Sequence, residues 1–115
     1  MKYKNLVITQ NAKLFQSIRP ILICADLDVS QATTYQKALE LLSCFHYVLV
    51  VADLSFPDID GIKLIHSLRR LAQVPILAFT SKYTTEEEIQ VLFAGAEDYL
   101  DCGVVLDSER CLAHI

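Results

Sequence analysis

The sequence predicts an α/β protein, one parallel sheet of five strands with helices wound over both faces. Three observations carry this. Short apolar runs rich in β-branched residues alternate with stretches of helical periodicity along the whole chain. The connections between them are only a few residues long, as in βα and αβ units. The apolar run Val48–Ala52 has no polar break, which suits a strand covered on both faces rather than one half wetted.

Asn5–Thr9, NLVIT, makes the first strand. Asn11 can cap a helix with Phe15, Ile18 and Leu22 turned inward, and Pro20 should kink or end it. Leu27–Ala32 is the second strand. Thr33 with Gln36 reads as a capping box, opening a helix that carries Ala38, Leu39 and Leu42 on one face. The central strand runs from about His46 to Ala52 and ends at Asp53, followed by a loop with Pro57, Asp58, Asp60 and Gly61. Helix three begins after Gly61, with Leu64, Ile65, Leu68 and Leu71 inward and Lys63, Arg69 and Arg70 outward.

Val74–Thr80 is the fourth strand. Thr85 and Glu88 form a second capping box, with Glu86 and Glu87 beside the positive helix end; this helix offers Ile89 and Leu92 to the core and stops at Gly95. Glu97–Asp101 is the fifth strand. Asp107 or Ser108 can cap a last helix, which looks truncated at Ile115.

With 115 residues, 53% of them hydrophobic and only three glycines, the chain has the size and composition of one globular domain. Ten basic residues against fourteen acidic ones give a net charge of −4, which argues against a nucleic-acid grip by this domain itself. Cys24, Cys44, Cys102 and Cys111 form no CxxC pair and read as reduced core thiols of a cytoplasmic protein. His46, His66 and His114 have no metal-ligand spacing, and no apolar run reaches the roughly 20 residues a membrane span needs.

The alternation points to the strand order 2-1-3-4-5, the flavodoxin-like arrangement. That order sets the exit of strand one (Thr9, Gln10, Asn11) beside Asp53, with Thr80 on the other flank. A carboxylate at such a strand end is a nucleophile, a metal ligand or a helix cap.

Three stretches, DLSFPDIDG from Asp53, PILAFTS from Pro75 and GAEDYL from Gly95, stand in an order and spacing that resemble the receiver domains of bacterial two-component response regulators, the CheY-like superfamily. The likeness covers essentially the whole chain, 1–115, as a single receiver domain and the N-terminal part of a longer regulator. It implies that Asp53 is the phosphoacceptor, that Ser55 offers its backbone carbonyl to Mg²⁺, that Thr80 hydrogen-bonds the phosphoryl group, and that Tyr99 turns inward when Thr80 moves. The chemistry is sound on its own terms, since a carboxylate is a competent nucleophile towards a phosphoryl donor.

Two departures mark the chain as atypical. The family's acidic pair after strand one falls on Gln10 and Asn11, or on Thr9 and Gln10 if shifted by one, so no carboxylate is present either way. The family's lysine falls on Cys102 and its proline on Gly103. One unit-charge pair at ~4 Å is worth roughly 4 kcal/mol at an effective dielectric near 20, so removing two carboxylates from a divalent-cation site should cost several kcal/mol, although amide oxygens can serve as neutral ligands.

The resemblance implies a signalling module, not an enzyme, that answers to a sensor histidine kinase or other signalling protein. It would control a C-terminal DNA-binding output domain by homodimerising through helix four, strand five and helix five. His114 stands where an interface arginine is usual. The alternative is a phosphorylation-independent pseudo-receiver that binds a protein or small ligand. A flavodoxin-like FMN carrier ranks last, because TQNAK after strand one has no glycine with which to cradle a phosphate. Lys82 reads as a solvated loop lysine and Cys102 as inert packing.

Overall fold

A computed structural model describes residues 3–24, 27–55, 59–80 and 82–101. In chain order these form β1 (Tyr3–Ile8), α1 (Ala12–Cys24), β2 (Leu27–Ala32), α2 (Tyr35–Cys44), β3 (Leu49–Asp53), α3 (Gly61–Leu71), β4 (Ile76–Thr80), α4 (Thr85–Ala94) and β5 (Asp98–Asp101). The sheet is parallel throughout, in the order β2-β1-β3-β4-β5. The expected fold is therefore present, with four helices among the described residues; the expected fifth helix, with Cys102, Gly103 and Cys111, lies outside them.

Because side chains alternate along a strand, each strand feeds two cores. Leu6, Ile8, Val50, Ala52, Ile76 and Ala78 pack beneath Leu64, Ile65 and Leu68 of α3 and Val91 and Ala94 of α4. Val7, Leu49, Val51, Leu77, Phe79 and Leu100 face the other way, onto Leu14 and Ile18 of α1. All five residues of β3 are buried, which is why that segment reads as an unbroken apolar run.

Local signals set most helix ends. Asn11 Oδ1 accepts the Leu14 amide at the start of α1, and Asp60 does the same for Lys63 at α3. Two caps sit one residue away from their expected positions. Thr34, not Thr33, accepts the Lys37 amide, and Thr84, not Thr85, accepts the Glu87 amide. Each site offers two adjacent threonines, and the second at α2 and the first at α4 have the extended backbone of a cap. Gly95 ends α4 with φ at +123°, where a Cβ would meet Arg69 Nε at 2.9 Å.

Several expectations are corrected. Pro20 does not stop α1, which runs on to Cys24; its exposed ring sits on the solvent side of the helix. The inward face of α1 is built on Leu14 and Ile18, with Phe15 only half buried; the Leu22 side chain lies outside the description. On α4, Ile89 and Leu92 are exposed and Val91 and Ala94 take the core positions. Val48 is exposed because β3 begins one residue later, and Leu71 is exposed at the end of α3. Cys44 is an exposed free thiol, not a core one. Arg69 turns inward, donating to the carbonyls of Gly95 and Val74 and so tying α3 to the end of α4 and the approach to β4.

Candidate functional site

β1 and β3 are hydrogen-bonded neighbours with Ile8 opposite Ala52, so the next residues, Thr9 and Asp53, leave the sheet side by side. The chain turns opposite ways from this pair of strands, which opens a crevice at their carboxyl ends. Asp53 is only 6% exposed. Its Oδ2 accepts the Thr9 hydroxyl proton at 2.7 Å, and its Oδ1 accepts the Ser55 amide at 2.9 Å. Two hydrogen bonds, one to each oxygen, fix the orientation of the carboxylate.

The two residues expected in the acidic corner are used elsewhere. Gln10 sends its amide to the Thr33 carbonyl at 2.8 Å, and Asn11 caps α1. Thr9 takes the place against Asp53 instead, as in the reading shifted by one residue. It is held there by the Asn11 amide on its hydroxyl oxygen and by Gln31 Nε2 on its carbonyl. Leu14 rather than Phe15 takes the buried position on α1, which moves the register by one and agrees with the shifted alignment.

Thr80 closes β4 on the other flank of β3, buried at 4% exposure, with its hydroxyl oxygen accepting the Lys82 amide. The Lys82 side chain is exposed. Tyr99, on β5, is turned inward at 2% exposure. Its hydroxyl donates to Glu87 Oε1 at 2.6 Å and accepts the Thr84 amide at 3.4 Å, while the Tyr83 ring stacks on it at 4.9 Å. Burial, and then the Glu87 carboxylate, push the Tyr99 phenol above its ordinary value, with Thr80 and the Thr84 amide pulling the other way. The hydrogen bond to Glu88 raises Tyr83 likewise.

Mg²⁺ needs several oxygen ligands, usually with more than one negative charge. Asp53 brings a carboxylate to this corner, while Thr9 supplies a neutral hydroxyl that donates to Oδ2. Among the described residues no three His, Cys, Asp or Glu side chains converge on a metal position. A separate concavity of about 220 Å³ lies at the other end of the sheet, where the chain enters β3 and β4, lined by Leu42, Phe45, Tyr47, Leu71 and Val74 among others. Among the described residues no helix is long and apolar enough to cross a membrane.

A doubly wound five-stranded sheet with a carboxylate at its switch point, a hydroxyl one strand away and an inward aromatic beyond defines a receiver-type signalling module. Comparison with known proteins agrees. Residues 6–105 match the response regulator receiver domain, and the chain belongs to that family. The KDP operon transcriptional regulatory protein KdpE of Escherichia coli (strain K12) is 30% identical over 95 residues, covering 83% of this chain and 42% of that protein. The chain thus spans less than half the length of that relative. The Francisella response regulator 1452 receiver domain superposes with a TM-score of 0.79 at 27% identity, covering 96% of each chain. A response regulator from Burkholderia pseudomallei, described with a phosphorylated aspartic acid, calcium ion and citrate, has a TM-score of 0.79 over 97% of this chain and 72% of its own. At 23% identity that likeness shows the fold. Receiver domains act in two-component signalling, and this chain's relatives are transcriptional regulators.

Proposed function

We propose that this chain is an atypical receiver domain that works in the cytoplasm as a signalling module rather than an enzyme. In this reading Asp53 occupies the acceptor position, Thr80 and Tyr99 form the switch, and Mg²⁺-dependent phosphorylation is impaired. The observation that carries the reading is the 2.7 Å bond from Thr9 to Asp53, a neutral donor at the corner where two carboxylates would gather a cation. Phosphoryl transfer to Asp53 would form a bond from a carboxylate oxygen to phosphorus and release the donor's leaving group. Both carboxylate oxygens here already accept hydrogen bonds, which an attack on phosphorus has to displace.

The partners that suit this reading are a sensor histidine kinase upstream and a second copy of the chain at the α4–β5 face. Ile89, Leu92 and Phe93 leave α4 as an apolar patch there, Phe93 being 88% exposed. The relatives' description as transcriptional regulators supports a DNA-binding output domain as the element controlled. The self-satisfied Asp53 also favours a second reading, a phosphorylation-independent module whose face binds a protein or small ligand.

Intact-mass measurement after incubation with a small phosphodonor and Mg²⁺ tests this directly. Substoichiometric adduct is expected. A stoichiometric gain of about 80 Da, lost in Asp53→Asn, would show an efficient acceptor and overturn both the impairment and the second reading.

A further inference from the structure

The start of α4 and the side chain of Tyr99 form one closed hydrogen-bond circuit. Thr84 Oγ1 accepts the Glu87 amide at 3.1 Å, Glu87 Oε1 accepts the Tyr99 hydroxyl at 2.6 Å, and the Thr84 amide returns to the Tyr99 oxygen at 3.4 Å. The helix cap is therefore built partly from an inward Tyr99. Over this circuit lies Tyr83, its ring stacked on Tyr99 at 4.9 Å and an interplanar angle of 15°, with its outer side 44% exposed.

A buried phenol needs a partner for its hydroxyl, and a charged acceptor is a strong one. Glu87 fills that need from within the helix, and Tyr83 covers the ring from the preceding loop. None of these contacts involves Asp53 or anything attached to it. A switch aromatic that moved only on phosphorylation would have its inward position stabilised by the phosphorylated site. Here Tyr83, Thr84 and Glu87 supply the stack and two hydrogen bonds from residues 83–87, and Thr80 adds a side-chain contact to the phenol from β4.

We propose that Tyr83 and Glu87 are positioning residues that hold Tyr99 inward whether or not Asp53 is phosphorylated, presetting the α4–β5 face. This deepens the receiver reading and rests on it for its consequence, but its geometry is read separately. The raised phenol values of Tyr83 and Tyr99 agree with rings held beside glutamates.

The test is tyrosine nitration of the 115-residue chain, followed peptide by peptide by mass spectrometry, with circular dichroism confirming each variant's fold. Tyr99 should nitrate at least about tenfold more slowly than Tyr83, with the same protection in Asp53→Asn and after treatment with phosphodonor and Mg²⁺. Tyr83→Ala, at an exposed site, and Glu87→Ala should each speed Tyr99 nitration several-fold, on the order of threefold or more. Tyr83→Phe and Glu87→Gln, which keep the stack and an acceptor, should restore protection. Tyr99 nitrating as fast as Tyr83, protection that appears only with phosphodonor, or protection unchanged in both alanine variants would overturn the proposal. Intact mass and sedimentation report the receiver reading apart from this: a stoichiometric phosphate adduct would overturn the impairment, a chain that stays monomeric would remove the homodimer, and a protected Tyr99 in either case would leave the present proposal standing.

Discussion

Thr9 and Asp53, separated by 44 positions in the chain, share a 2.7 Å hydrogen bond across the seam between β1 and β3. Parallel pairing of those strands produces it, because the register that sets Ile8 opposite Ala52 delivers the next two residues to one corner. The Asp53 carboxylate thereby receives a neutral donor from within the fold.

Removing that donor should be costly. Thr9→Val leaves one oxygen of a nearly buried carboxylate without its hydroxyl partner and should lower stability by about 1.5–3 kcal/mol, whereas Thr9→Ser should stay near wild type. Thr9→Asp should instead set two carboxylates face to face and destabilise the domain until Mg²⁺ bridges them. Denaturant titrations with and without Mg²⁺ read both effects, and a wild-type midpoint that itself rises with Mg²⁺ would contradict the neutral-corner argument.

Arg69 should matter more than a surface arginine. Its guanidinium serves the carbonyls of Gly95 and Val74, which terminate α4 and lead into β4. Arg69→Ala is expected to cost about 1–3 kcal/mol in chemical denaturation. Gly95→Ala should also destabilise, because φ there is +123° and the added Cβ meets the arginine at 2.9 Å. In the double variant the two penalties should be less than additive, since removing Arg69 removes that contact.

Alkaline pH should weaken the domain through Tyr99. Its phenol is raised in the folded state, first by burial and then by Glu87, so folding favours the protonated form. That contribution is fully present below the unfolded value of about 10 and is lost as pH climbs through the raised folded value. Stability measured across this window should fall, and Tyr99→Phe should flatten the slope. An equal slope in both proteins would assign the loss elsewhere.

The exposed residues of α4 should govern association without supporting the fold. Ile89→Asp and Phe93→Glu remove apolar groups that already face solvent, so stability should stay within about 0.5 kcal/mol of wild type. Sedimentation at rising concentration should show self-association in the wild-type chain and its loss in both variants. A wild-type chain that stays monomeric throughout would remove the case for this face as a homodimer surface.

Much of this architecture was legible in the residues. The uninterrupted run into Asp53 marked a strand buried on both faces, and the parallel sheet in the order β2-β1-β3-β4-β5 bears that out. Asn11 as the α1 cap and Gly95 as the end of α4 were equally readable, because each rests on a short-range backbone requirement that few residues meet. What the residues left open were choices separated by one position. Thr33 or Thr34 and Thr84 or Thr85 are adjacent residues able to do the same job, and the corner beside Asp53 falls to Gln10 and Asn11 or, shifted by one, to Thr9 and Gln10.

Local sequence thus determined which segments become strands and helices, and that Asp53 stands at a strand end. Apolar periodicity and backbone restrictions act over a few residues and are written into the chain itself. Only the packed structure decided that Thr9 meets Asp53, that Arg69 turns in to Gly95, that α4 shows Ile89 and Phe93 to solvent, and that Glu87 receives Tyr99. Those outcomes depend on how strands pair and how a helix rotates on its sheet, and residues distant in sequence set both.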